Sequence, residues 1–80
     1  MSPTVFRYKN AKFYFFSREE SRMHIHVLTP DGEAKFWMEP DIELATTIKL
    51  KAKELNRLKK IVEEHRDEII RTWQQEQRKR

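Results

Sequence analysis

The hydrophobic period of this chain changes once, near Pro40, and that single change limits what it can fold into. Before it, β-branched and aromatic residues recur with the period of two that belongs to strands. After it, apolar residues recur with the period of 3.6 that belongs to a helix. Thr4 to Tyr8 and Lys12 to Phe16 read as two strands joined at Lys9-Asn10-Ala11, with Asn10 suited to the positive φ of a tight turn. Residues 17–23 form a polar connection. His24-Ile25-His26-Val27-Leu28 alternates as a third strand. Thr29-Pro30-Asp31-Gly32 is a turn, with Pro30 presetting one φ and Gly32, the only glycine, supplying a left-handed residue. Ala34 to Met38 is a fourth strand, closed by Pro40. Asp41 to Leu44 fits either a short edge strand or a turn of helix.

Beyond that point an apolar stripe runs through Leu55, Leu58, Val62, Ile69, Ile70 and Trp73, each within about 60° of Leu55 at 100° per residue. Its continuity predicts one helix over about 51–77. Lys53, Arg57, Lys60, Glu64 and Arg71 fall on the opposite side, and His65 on the edge of the stripe. Four short strands cannot bury a face unaided, and a lone helix is marginal in water. The expected fold is therefore α+β, a small antiparallel sheet of about four strands (residues 4–38) packed on one long C-terminal helix, in one domain spanning 1–80.

Size and composition narrow the classes further. At 9.9 kDa surface scaling leaves roughly 5,000 Å² exposed of roughly 14,000 Å² in the unfolded chain, enough for one thin core. Five Phe, two Trp and two Tyr are too many for a disordered tail. With no cysteine there is no disulfide framework, thiolate zinc site or cysteine nucleophile. The run Phe13 to Phe16 is far too short to span a bilayer, and the first residues lack a signal-peptide pattern. A cytoplasmic protein without membrane contact is expected. The net charge of +4 is uneven. Residues 49–60 carry Lys49, Lys51, Lys53, Arg57, Lys59 and Lys60 against Glu54, and residues 61–70 carry Glu63, Glu64, Asp67 and Glu68 against Arg66. Such alternation is the common mark of a solvated helix with internal ion pairs, although the basic cluster at the helix start also suits phosphate.

Three groupings can carry chemistry. His24 and His26, two apart on a strand, share a face with Ile25 and Val27 on the other. They can chelate a metal only with further ligands such as Glu19, Glu20, Glu33 or Glu39, which no spacing demands, so neither metal nor cofactor is expected. The same pair can act as acid and base of a metal-independent ribonuclease, with Arg22 and Lys35 holding phosphate charge. The aromatics, among them Tyr14, Phe16 and Trp37, interleave with Arg7, Lys9, Lys12 and Lys35 as a base-stacking or protein-binding platform. Alternation sends Phe13 and Phe15 to one face and Tyr14 and Phe16 to the other, where a single layer of helix leaves them uncovered. The ridge Lys53, Arg57 and Lys60 is a further binding candidate.

Several ordered blocks carry a family likeness: Met1 to Arg7, Phe13 to Glu20, His24-Ile25-His26-Val27, Gly32 to Pro40, and Asp67 to Trp73. The chain resembles a small prokaryotic family known as domain of unknown function 4160. Relatives often carry Pro where Met23 stands here. The resemblance implies no activity and no catalytic residue. It implies one half of a two-gene unit similar to a toxin–antitoxin pair, with the small protein encoded by the neighbouring gene as partner. The leading expectation is a protein that acts by binding that partner. A ribonuclease toxin and a non-catalytic module for RNA or DNA are the alternatives, and a second copy of the chain is a further partner to consider.

Overall fold

The computed structural model of the chain describes residues 4–16 and 21–78. Five strands form one antiparallel sheet in the order of the sequence: β1 (Thr4–Tyr8), β2 (Ala11–Tyr14), β3 (His24–Leu28), β4 (Glu33–Trp37) and β5 (Glu43–Ile48). Two helices follow, α1 (Ala52–Glu64) and α2 (Arg66–Arg78). The α+β class is as expected, but the sheet gains a strand and the helix is divided.

The fifth strand escaped the period argument because it lies at the sheet's edge and is mostly exposed, so it needs no apolar alternation. Its signal is propensity alone, in Thr46, Thr47 and Ile48. An irregularity opposite Lys35 and Phe36 leaves Ala45 as the extra residue of a bulge. The helix divides at His65, which closes α1 with φ −105° and ψ 19°. The His65 N–H is shared between the carbonyls of Ile61 and Val62, at 3.1 and 3.2 Å, and its ring Nδ1 lies 2.9 Å from the Ile61 oxygen. The Ile69 N–H then bonds the His65 carbonyl at 3.0 Å, which restarts the helix. The apolar stripe survives this break, which is why the sequence reads as continuous. Ile61, slightly off the stripe, is nonetheless buried.

The turns also differ in detail. Lys9, not Asn10, takes the left-handed backbone of the β1–β2 turn (φ 53°). Gly32 is not left-handed. The β3–β4 turn is held by Thr29, whose hydroxyl accepts from the Asp31 and Gly32 N–H groups (3.1 Å each) and donates to the Gly32 carbonyl (3.1 Å). Glycine is needed there for space, because a Cβ would stand 2.1 Å from the Ile48 carbonyl oxygen of β5.

One face of the sheet carries the core. Phe13, Phe15, Ile25, Val27, Phe36 and Met38 meet Leu58, Ile61, Val62, Ile69 and Trp73 of the helices. The break at His65 is fastened to the sheet by a stack of rings: His65 on Phe6 at 4.1 Å, and Phe6 on Phe13 at 4.4 Å. Replacing His65 by alanine removes the outer ring and is expected to cost about 1 kcal/mol, measurable as a shift of the urea midpoint without change of slope.

Candidate functional site

The strand register sorts the candidate residues by face. Tyr14 stands opposite His26, His26 opposite Lys35, and His24 opposite Trp37. Residues directly opposite share a face, so Tyr14, His24, His26, Lys35 and Trp37 lie together, on the side of the sheet away from the core. Lys12, opposite Leu28, and Arg7, opposite Lys12, belong to the same side. Phe16 follows Tyr14 past the strand end and joins them. The division of Phe13 and Phe15 from Tyr14 and Phe16 is as alternation predicts, with the first two buried in the core; of the second pair only Phe16 is uncovered (40% exposed), and Tyr14 is buried among its neighbours on that face.

The rings form a connected cluster. His26 is the hub: it stacks against Tyr14 (5.5 Å) and meets Phe16 (4.5 Å) and His24 (5.1 Å) edge-on. His24 in turn meets Trp37 (5.9 Å) and Trp73 of α2 (5.2 Å) edge-on. Three cations stand over these rings: Lys12 over Tyr14 (5.2 Å), and both Arg22 (4.1 Å) and Lys35 (4.5 Å) over Trp37. A cation held over a ring has lost rotamer freedom before any partner arrives. The rings under the cations are therefore supports more than open stacking surfaces, and Tyr14 itself is only 7% exposed.

His24 differs from what a solvent-facing strand position suggests. It is fully buried, and Trp73 from the middle of α2 packs edge-on against it while meeting Phe15 as well (5.2 Å). Its Nδ1 lies 2.6 Å from the Arg22 carbonyl oxygen, so that nitrogen carries the proton and donates. The approach to β3 is pinned from β4. The Met23 N–H donates to the Glu39 carboxylate (2.9 Å), Arg22 Nε donates to the Glu39 carbonyl (3.0 Å), and the Met38 N–H donates to the Met23 carbonyl (2.9 Å). Glu39, which the sequence offers only as one possible metal ligand, thus positions Arg22 and Met23. Lys12 was legible, through its parity with Tyr14.

The remaining candidates lie elsewhere. Lys53 and Arg57 sit on α1, beside a cavity at the opposite end of the sheet, and the Arg57 guanidinium pairs with the Glu54 carboxylate. Lys60 is exposed on the same helix and does not line that cavity. Glu19 and Glu20 fall outside the described residues. Among the described residues, no group of three or more His, Cys, Asp or Glu side chains is placed to hold a metal ion. No helix among them is long and apolar enough to cross a membrane.

The family described as Domain of unknown function (DUF4160) matches residues 10–74, which include every member of the ring cluster and most of both helices. No curated protein and no solved structure is significantly similar to the chain.

Proposed function

Since the chain belongs to the DUF4160 family, we propose that it is a cytoplasmic binding protein, one half of a toxin–antitoxin-like pair, that grips its partner with the helix-free face of its sheet. The partner is the small protein encoded by the neighbouring gene. The observation that carries this reading is the placement of Lys12, Arg22 and Lys35 over aromatic rings on the face away from the core, where the helices contribute only Trp73 against His24. Phe16 and Leu28, 40% and 43% exposed, add apolar area to it. Pre-positioned cations around apolar side chains suit a partner surface rich in carboxylates with an apolar centre.

The double variant Lys12→Glu plus Lys35→Glu is expected to weaken partner binding at least about tenfold, mainly through slower association. Calorimetry against the purified neighbouring gene product measures this, with unchanged circular dichroism as the control for folding. Unchanged affinity would move the contact off this face.

The ribonuclease reading has less support. His24 and His26 are adjacent, with Arg22 and Lys35 nearby, as acid–base chemistry on a phosphodiester would want. But His24 is enclosed by Trp37, His26 and Trp73, and one of its nitrogens is committed to a backbone carbonyl. A proton donor or acceptor must reach its substrate, and a buried ring does not.

A further inference from the structure

We propose that the end of the sheet opposite the ring cluster is a second binding site, one that holds the sugar–phosphate backbone of a nucleic acid without reading its bases. The β1–β2 turn, the β3–β4 turn and the segment joining β5 to α1 all lie at this end, about five residues of strand, or ~15 Å, from His24 and Trp37. Two cavities open there, of about 640 and 280 Å³, and adjoin at Asp31, Glu54 and Arg57. Lys49, Lys51, Lys53 and Arg57 line the larger, and Lys9 and Arg57 the smaller. With Arg57 paired to Glu54, four lysines from three separate segments stand against Asp31. The two cavities share part of their lining, and their lysines come from separate segments of the chain. Such a distribution suits a chain of phosphates better than one compact anion, which wants its donors converging on a point. Among the described residues no aromatic ring lines either cavity, and the exposed ring of Tyr8, next to Lys9, lies 5.7 Å from the Lys9 ammonium, so recognition rests on the backbone.

A second, independent observation concerns which residues stand there. Lys9 (φ 53°) and Lys49 (φ 63°) are the two non-glycine residues with left-handed backbone among the described residues. Glycine takes that conformation without penalty, and lysine does not. Both positions line the cavities. At each, the chain carries a positive charge where local conformation alone favours glycine, which is the pattern of a site that trades stability for binding.

The test separates charge from fold. A fluorescein-labelled, mixed-sequence single-stranded RNA of about twenty nucleotides is titrated by anisotropy against the full chain over a range of salt. Four phosphate contacts predict a slope of log affinity on log salt near about −3. The double variant Lys9→Gly plus Lys49→Gly should weaken binding by roughly tenfold and reduce the slope to about −1.5. Its Tm should hold or rise by a few degrees. The Lys9→Arg plus Lys49→Arg variant, which keeps both charges, should bind as the parent does. Absent binding at 50 mM salt (a low-salt condition that favours about maximal phosphate contact) overturns the proposal. So does binding that the glycine variant leaves intact, or a fall in its Tm alongside the lost binding, which would make the lysines structural. Complete competition by stoichiometric inorganic tripolyphosphate would reduce the site to a small-anion site and overturn it too. Loss of RNA binding in the Lys12→Glu plus Lys35→Glu variant would place the RNA on the helix-free face instead. Because the glycine variant leaves that face untouched, failure here is distinct from failure of the partner-binding reading.

Discussion

Gly32→Ala is expected to destabilise the protein by about 2–4 kcal/mol, a large loss for a chain whose whole stability is on the order of 4–12 kcal/mol. The added methyl would meet the Ile48 carbonyl oxygen at 2.1 Å and the Leu50 Cγ at 3.1 Å. The first of these is backbone, so no rotamer change relieves the contact. Either β5 moves away from β4 or the Thr29–Gly32 turn opens, and each course breaks pairing at Glu33 and Ile48. Thr47, whose hydroxyl donates to the Glu33 carbonyl at 2.9 Å, would lose that bond as well. Thermal denaturation should show a fall in Tm of roughly 10–20 °C. Amide exchange should quicken over residues 43–48 before it does in β2 or β3. A change in Tm of less than about 3 °C would mean that the end of β5 is held less closely than the geometry indicates.

Trp73→Ala should have an effect of similar size through a different route. Trp73 is 8% exposed and closes the core over Phe15 and His24. Truncating a buried tryptophan costs about 3–5 kcal/mol. The variant should also change the helix-free face, since His24 would lose the ring that covers it while its bond to the Arg22 carbonyl remains. Trp73→Phe keeps an aromatic edge in place and should cost about half as much. The ring proton resonances of His24 and His26 distinguish the two variants. They should shift strongly in Trp73→Ala and only slightly in Trp73→Phe. Equal stability losses without any change at His24 would show that Trp73 packs only against the helix side of the core.

The period change at Pro40 made the class of the fold readable, because a sheet face and a helix stripe each need the other to bury apolar surface. Strand alternation placed Phe13, Phe15, Tyr14 and Phe16 on their correct sides without any structure. β5 was not readable in the same way, since an exposed edge strand has no buried face to impress a pattern on its sequence. The break at His65 left no mark either: a turn that keeps the apolar stripe in register costs no hydrophobic residue and needs no glycine or proline. The convergence of His24, His26, Lys35 and Trp37 on one face follows from strand parity. What parity could not supply was the packing of Trp73 against His24, or the hold of Glu39 on Arg22 and Met23. Those are contacts between residues distant in sequence, with no local signature. Gly32 shows a subtler gap. Its place in a turn was evident, but the reason for it lies in a neighbouring strand.

If the helix-free face meets a partner, as proposed, a footprint of that face shows it most directly. In ¹⁵N-edited spectra of the labelled chain, the indole N–H of Trp37 and the backbone amides of Lys12, Tyr14, His26 and Lys35 should shift or broaden when the neighbouring gene product is added. The amides of α1 from Leu58 to Val62, on the core side, should stay in place. Shifts confined to α1 and α2, with Trp37 and Lys35 unmoved, would contradict the account.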